Sequence, residues 1–180
     1  MRWDRLFDDL EAVAAAERSR ERDGEVADRT RRERGQLDLQ SRMLANLGND
    51  SVSCRLHAGS VSGRLVDVGP DWALLDSRGR SVVVALAAVR ALTGLTSGAR
   101  IPTVVARSFS LAAVLRGVSR DRSHVEVVDL EGRSLTGTIE SVGADHIELV
   151  THAADVPRRR EHLAGRVVVP LWSLGSVRRL

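Results

Sequence analysis

The chain contains an internal repeat, and this repeat constrains the fold more than any other feature of the sequence. The segment VSGRLVDVGPD at residues 61–71 is matched in register by LTGTIESVGAD at residues 135–145, an offset of 74 residues. In the first copy the match extends upstream to residues 52–56 and downstream to residues 82–90. Two copies of one structural unit are therefore expected in this chain.

Each copy has the pattern of short β-strands. Val52, Cys54 and Leu56 alternate with polar residues, which is the period of half-buried antiparallel strands. Gly63 and Gly137 lie inside strand patterns, where glycine marks a bend or the close approach of another backbone. Turn residues separate the strands at residues 58–60, 69–71, 131–133 and 143–145. Five bent strands in each copy predict a small closed barrel with Cys54 in a core.

A helical segment precedes the strands of each copy. Apolar residues recur at helical spacing between Leu37 and Leu47 in the first copy, and between Leu111 and Val118 in the second. Each repeat is therefore expected to begin with a short helix.

The predicted fold class is α+β, with an N-terminal helical arm followed by two helix-plus-small-β-barrel repeats. The arm is placed at residues 1–35 and the first repeat at residues 36–96. Residues 97–106 carry the Gly, Ser and Pro of a linker, and residues 107–180 form the second repeat.

Short motifs in both copies resemble the Sm-like family of SH3-like small barrels. Residues 63–68 and 137–142 are similar to the glycine-containing second strand of that family. The resemblance implies a short helix followed by a five-stranded, strongly bent barrel. Gly69 and Ala73 stand where the family has its uridine-contacting aspartate and asparagine, so specific base recognition is not expected. The layout also resembles an uncharacterised actinobacterial protein family.

Residues 3–34 are strongly helix-forming, with one apolar face. Trp3, Leu6, Phe7 and Leu10 recur at i, i+3, i+4 and i+7 spacing on that face. The face is expected to be buried, either against the rest of the chain or in an interface with a partner or a second copy. These four residues are therefore the candidate interface.

Two groups of arginines are candidate phosphate contacts. One is the basic part of the N-terminal helix, and the other is a loop at residues 151–165 of the second copy, joined by the arginines near Leu180. Guanidinium groups bind phosphate with little geometric demand. The alternatives are ion pairs with neighbouring acids in the helix and simple solvation of the loop. The candidates are Arg29, Arg31, Arg32, Arg34, Arg158, Arg159, Arg160, Arg178 and Arg179.

Composition narrows the class of protein. All 27 basic residues are arginine, set against 24 acidic residues, so the net charge is only +3 and the chain is no strong polycation. The single cysteine excludes an intrachain disulfide and a thiolate metal cluster, and it suits a reducing compartment. No apolar run approaches the roughly 18 residues of a membrane helix. The protein is therefore expected in the cytoplasm.

The sequence carries no motif of a common enzyme class. It lacks a phosphate-binding glycine loop, a dinucleotide fingerprint, a His-Glu-x-x-His helix and a Gly-x-Ser-x-Gly turn. The five histidines lack ligand spacing, so no metal or cofactor is expected. Asp71 and Asp145 are expected to close turns through side-chain hydrogen bonds to backbone amides.

These patterns predict a non-catalytic binding protein. One hypothesis is a nucleic-acid-associated, regulatory protein that contacts backbone phosphates through its arginines. The alternative is a protein–protein interaction scaffold that self-associates through its N-terminal helix.

Overall fold

A computed structural model describes residues 31, 35, 37–57, 59–103, 108–151 and 165–180. The contacts within the chain divide it into two units, Met1–Asp38 and Leu39–Leu180. The second unit contains nearly all of the described residues, and the fold described below belongs to it. No helix among the described residues is long and apolar enough to span a membrane.

The described residues of the first repeat form one short α-helix and five strands. Helix α1 (Leu39–Leu44) ends in a turn at Gly48, whose φ of 85° lies in the left-handed region that glycine adopts without strain. A 3₁₀ turn (Leu86–Ala88) separates the last two strands. The strands are β1 (Val52–Leu56), β2 (Gly59–Val68), β3 (Trp72–Ser77), β4 (Arg80–Ala85) and β5 (Ala91–Thr93).

The second repeat has the same element order. Helix α2 (Leu111–Arg120) has Ser110 at its N-cap position, and a 3₁₀ turn (Leu171–Ser173) again precedes the last strand. The strands are β6 (His124–Asp129), β7 (Ser134–Val142), β8 (His146–Thr151), β9 (Gly165–Pro170) and β10 (Leu174–Arg179). The described residues of the two repeats thus have the same order of elements, and reversals lie at the predicted positions 69–71, 131–133 and 143–145, whereas Gly59 and Ser60 already belong to β2.

The ten described strands form one antiparallel sheet in the order β5-β1-β2-β3-β4-β10-β6-β7-β8-β9. The two repeats meet where β4 pairs with β10, through Val82 with Arg178, Val83 with Val177 and Val84 with Ser176. Strand β10 also pairs with β6 of its own repeat. The last strand of the second repeat therefore has a neighbour from each repeat.

The predicted fold class, α+β with a helical arm and two helix-plus-small-β-barrel repeats, is wrong. The structure is mostly antiparallel sheet, and its described residues contain only two short α-helices, of six and ten residues. The reason is the double pairing of β10, because this strand continues the sheet of the first repeat instead of completing a separate barrel. The two repeats form one open sheet.

The buried side chains form two clusters that are shared unequally between the repeats. The first cluster belongs to the first repeat and includes Met43, Cys54 and Leu65. The second cluster fills the second repeat and also takes Trp72 and Val83 from the first. Since successive residues of β4 face opposite sides of the sheet, this strand contributes to both clusters. The junction between the repeats is therefore part of the protein core.

Gly63 and Gly137 lie where two strands approach closely. A Cβ atom on Gly63 would overlap the carbonyl oxygen of Asp76, and one on Gly137 would overlap that of Val150. A few residues further along each strand, a register shift bends β2 and β7. The close backbone approach predicted at both glycines is confirmed.

Candidate anion-binding cleft

The turn of the hairpin between β3 and β4 contains an arginine, Arg78, with a strained backbone conformation. Ser77 pairs with Arg80, so only Arg78 and Gly79 form the turn. Their φ angles are 57° and 77°, and a two-residue turn with two positive φ values ordinarily takes Asn-Gly. An oxygen of the Asp76 carboxylate accepts a 2.8 Å hydrogen bond from the Gly79 N–H and holds the turn in place. Arg78 thus keeps an unfavourable backbone conformation at the tip of the hairpin.

This hairpin forms one wall of a polar cleft of about 610 Å³. The other walls come from the start of β2 and from β10. On β2, Ser60 and Ser62 alternate with the buried Val61, so they point away from the core. On β10, Arg178 pairs with Val82, two residues after Arg80. The residues that line the cleft are Ser60, Ser62, Ser77, Arg78, Arg80 and Arg178.

The cleft is strongly cationic. Its described lining contains three arginines and three serines, and none of these residues is acidic. Two carboxylates lie beside it: Glu126 contacts Arg178 at 3.4 Å, and Asp76 contacts Arg64 at 3.5 Å. The side chains of Arg178 and Glu126 are 42% and 25% exposed, so Arg178 stays accessible from the cleft while it contacts Glu126.

The cleft is lined by side chains that can bind an anion. Guanidinium groups donate paired hydrogen bonds to phosphate or carboxylate oxygens, and serine hydroxyls add neutral donors.

Among the described residues, no group of three His, Cys, Asp or Glu side chains is placed to hold a metal ion. Burial raises the pKa of the Cys54 thiol to about 11, so this thiol is protonated at neutral pH and is a poor nucleophile.

A second cationic groove differs from the cleft because its lining includes an acidic residue. Arg120 and Arg122 line this groove with Glu140, whose carboxylate forms an ion pair of 2.6 Å with Arg166. Arg122 has a φ of 49°, so it shares the left-handed conformation of Arg78. A carboxylate lines the groove itself, whereas no described residue of the cleft lining is acidic, and this makes the groove a comparison for the cleft.

The structure places two of the predicted phosphate contacts on opposite sides of the sheet. Arg178 lines the cleft, whereas Arg179 lines a small apolar pocket with Val114 and Val118 of α2. Successive residues of a strand face opposite sides, so the two arginines do not form one patch. Arg31 is described, and it belongs to the other unit, Met1–Asp38.

The remaining predicted residues lie outside the described part of the chain. The structure does describe both ends of the loop predicted at residues 151–165, where Thr151 pairs with Gly165 and the Thr151 hydroxyl donates a 3.1 Å hydrogen bond to the Gly165 carbonyl oxygen. The loop therefore leaves and re-enters the sheet at one point. The predicted residues outside the description are Trp3, Leu6, Phe7, Leu10, Arg29, Arg32, Arg34, Arg158, Arg159 and Arg160.

Sequence reasoning missed most of the cleft. Arg78 lies in the two-residue turn and Arg80 begins β4, and neither belongs to a run of arginines such as residues 158–160. A local signal existed, because arginine stands in a two-residue turn where asparagine is preferred. The turn sequence does not predict that Arg178 lines the same cleft, because Arg178 reaches it only through the pairing of β10 with β4.

Comparison with known proteins found no match: no protein-family model matches the chain, and no curated protein matches its sequence. The resemblance to the Sm-like family therefore stays a prediction from the sequence.

Proposed function

We propose that this protein is a non-catalytic binding protein that holds the sugar–phosphate backbone of a nucleic acid in the cleft between the β3–β4 hairpin and β10. One observation carries the proposal: Arg78, Arg80 and Arg178 line one cleft with three serines and no acidic residue among its described walls. Arginine is the side chain best suited to phosphate, because its planar group matches two oxygens at once.

The same lining favours binding that is independent of base sequence. Its described residues include no aromatic side chain on which a base could stack, and no Asn or Gln that could read a base edge. Phosphate contacts alone position a nucleic acid without specifying its sequence. The concave shape suits a single strand better than a duplex, since a single strand can follow the cleft with its backbone.

The strain at Arg78 supports a role for its side chain. A non-glycine residue in the left-handed region costs roughly 1 to 2 kcal/mol, and asparagine would fit the turn with less strain. Strain alone does not mark a site, because Arg122 of the groove has the same conformation, but at Arg78 the strain coincides with a cleft lining that contains no acidic residue. The proposal places the protein in the cytoplasm, an expectation that rests on the sequence alone.

The experiment compares two double variants of the full chain that remove the same charge. Arg78→Asn with Arg80→Gln empties the hairpin side of the cleft, whereas Arg122→Asn with Arg120→Gln removes two arginines from the groove that contains Glu140. Each pair replaces one left-handed arginine by asparagine. Binding of a short labelled single-stranded RNA is measured by fluorescence anisotropy across a series of salt concentrations.

We expect the cleft variant to bind more weakly and its salt dependence to become shallower. For a single strand, the slope of log K against log salt should change by about 0.7 for each phosphate that an arginine no longer neutralises. The groove variant should retain the slope of the wild-type protein. Equal weakening in both variants would show that only net charge matters, and no binding by the wild-type protein at low salt would refute the proposal.

A further inference from the structure

A small pocket, which we call the α2 pocket, lies between α2 and the sheet at the junction of the two repeats. Its volume is about 190 Å³, and it is lined by β3 and β4 of the first repeat and by α2, β6 and β10 of the second. On β10 its lining residue is Arg179, whereas the preceding Arg178 lines the anion-binding cleft. Since successive residues of a strand face opposite sides, the α2 pocket and the cleft lie on opposite sides of the sheet.

The inner walls of the α2 pocket are apolar. Val83, Val125 and Val177 of the sheet are 6%, 0% and 3% exposed, so they form its closed end. Val114 and Val118 lie one helical turn apart on α2 and form the wall that faces the sheet. A dry apolar cavity of about 150 Å³ can hold a benzene molecule. The α2 pocket therefore has room for a branched aliphatic side chain.

The first repeat has polar residues at the positions of these two helix valines. Each helix has one fully buried residue nine positions before the first strand of its repeat, and alignment on that residue matches Arg42 with Val114 and Asn46 with Val118. The side-chain oxygen of Asn46 accepts hydrogen bonds of 2.8 and 3.0 Å from the N–H and hydroxyl of Thr96. Arg42 donates a 3.3 Å hydrogen bond to the Thr96 carbonyl oxygen. Polar contacts thus hold a chain segment on α1, whereas the valines of α2 suit an apolar group.

Charges of both signs border the open side of the α2 pocket. Asp121 follows the last residue of α2, and Arg179 is the last residue of β10. Both residues are exposed, and within the described part of the chain neither side chain forms an ion pair. Ser81 and Ser123 add hydroxyl groups to the lining. The pocket thus combines an apolar interior with one positive and one negative group at its opening.

We infer that the α2 pocket binds a free α-amino acid with a branched aliphatic side chain, such as leucine. The side chain packs between the valines of α2 and those of the sheet. Arg179 binds the α-carboxylate. Asp121 binds the α-ammonium group at the C-terminal end of α2, where the helix dipole also favours a positive charge. An acid or an amine of the same shape satisfies only one of the two charges, whereas an amino acid satisfies both. The site does not depend on binding of RNA in the cleft.

The test measures binding of L-leucine to the full chain by isothermal titration calorimetry. Three analogues separate the contacts: 4-methylpentanoate lacks the ammonium group, 3-methylbutylamine lacks the carboxylate, and glycine lacks the side chain. Leucine should bind at least about 10-fold more tightly than either charge-deficient analogue, because each loses one charged hydrogen-bonding partner. Glycine should also bind at least about 10-fold more weakly, because it buries no aliphatic carbon among the valines.

Two variants assign the charges to their partners. Arg179→Gln and Asp121→Asn should each weaken leucine binding about 10-fold or more. Arg179→Gln should bind leucine and 3-methylbutylamine with similar affinity, since the carboxylate of leucine has lost its partner. Asp121→Asn should in the same way bind leucine and 4-methylpentanoate with similar affinity. Arg120→Gln is the matched control, because it removes an arginine next to Asp121 that lines the groove instead, and it should bind leucine like the wild-type chain.

A third variant tests the apolar wall. Val118→Asn gives α2 the residue that the first repeat has at this position, and it should weaken binding of leucine but not that of glycine. Thermal unfolding followed by circular dichroism verifies that each variant is folded. Because Asp121, Arg179 and Arg120 are exposed, their substitutions should leave the unfolding temperature close to that of the wild-type chain.

Three results would overturn the inference. The wild-type chain could fail to bind leucine, it could bind leucine no more tightly than the analogues that lack one charge, or Arg120→Gln could weaken leucine binding as much as Arg179→Gln does.

Discussion

The carboxylate of Asp71 accepts a hydrogen bond of 2.8 Å from the backbone N–H of Leu111, the first residue of α2. Asp71 was expected to close a turn within its own repeat, but its side chain binds an amide 40 residues later and ties the two repeats together. The counterpart, Asp145, instead contacts the imidazole of the neighbouring His146 at 2.8 Å and is exposed.

The two aspartates should therefore respond differently to substitution. Asp71→Ala removes the acceptor of a helix N-terminal amide, which typically costs about 1 kcal/mol of unfolding free energy. Asp145→Ala removes only an exposed contact and should cost less than about 0.5 kcal/mol. Urea unfolding of both variants measures the difference. Equal effects would contradict a structural role for the bond between Asp71 and Leu111.

Three glycines provide a test of the sheet geometry. Gly63→Ala and Gly137→Ala each force a Cβ atom into a carbonyl oxygen of the neighbouring strand, so each should lower the free energy of unfolding by about 2 kcal/mol or more. Gly117 lies in α2 with open space around it, and Gly117→Ala should raise it by about 0.5 to 1 kcal/mol. Thermal unfolding ranks the three variants, and a tolerated alanine at Gly63 would contradict the close approach of β2 and β3.

Arg78→Asn alone should separate stability from binding. Asparagine accepts the left-handed conformation of this turn, so the free energy of unfolding should rise by roughly 0.5 to 1 kcal/mol. The same change removes one guanidinium from the cleft and should weaken binding of single-stranded RNA. Unfolding in guanidinium chloride measures the stability, and fluorescence anisotropy without denaturant measures the RNA binding of the same protein preparation. A variant that is more stable and binds as well as the wild-type protein would remove Arg78 from the site.

Ionisation of Cys54 should make the free energy of unfolding depend on pH in a range where few other side chains titrate. Its pKa rises from 9.0 to about 11 in the folded protein because burial disfavours the thiolate. The unfolded chain therefore ionises first, and the stability that is fully present below pH 9 should fall as the pH rises from 9 to about 11. The chain has no tyrosine and no lysine, so few other side chains titrate between pH 9 and 11.

The control for this window is Cys54→Ala, whose unfolding free energy should stay nearly constant from pH 9 to 11. In the native wild-type protein at neutral pH, the buried thiol should react with a disulfide reagent only as fast as the protein opens. Rapid reaction in the folded state would show that Cys54 is accessible.

Local patterns in the sequence predicted local structure well. Alternation at Val52, Cys54 and Leu56 placed β1, and the glycines at positions 63 and 137 marked the close approaches of strands. The burial of Cys54 followed from the same alternation. Each of these predictions depends only on a few neighbouring residues, for which side-chain period and backbone sterics are sufficient.

The pairing of one repeat with the other could not be predicted in this way. The valine runs at residues 82–84 and 167–169 are identical in pattern, yet Val83 is buried by the second repeat and Val168 is exposed. Periodicity tells which faces of a strand are apolar, but it does not tell which strand lies beside it. The cleft shares this limit, because Arg80 and Arg178 are far apart in sequence and meet only through the pairing of β4 with β10.

Hydrogen–deuterium exchange of the full chain, with and without a short single-stranded RNA at low salt, tests the proposed site most directly. The account predicts that RNA slows exchange in peptides covering residues 59–63, 77–81 and 176–179, which form the walls of the cleft. Peptides of α2 near Arg120 and Arg122 should exchange at unchanged rates. Slower exchange confined to segments outside the cleft, or no change with RNA present, would contradict the account.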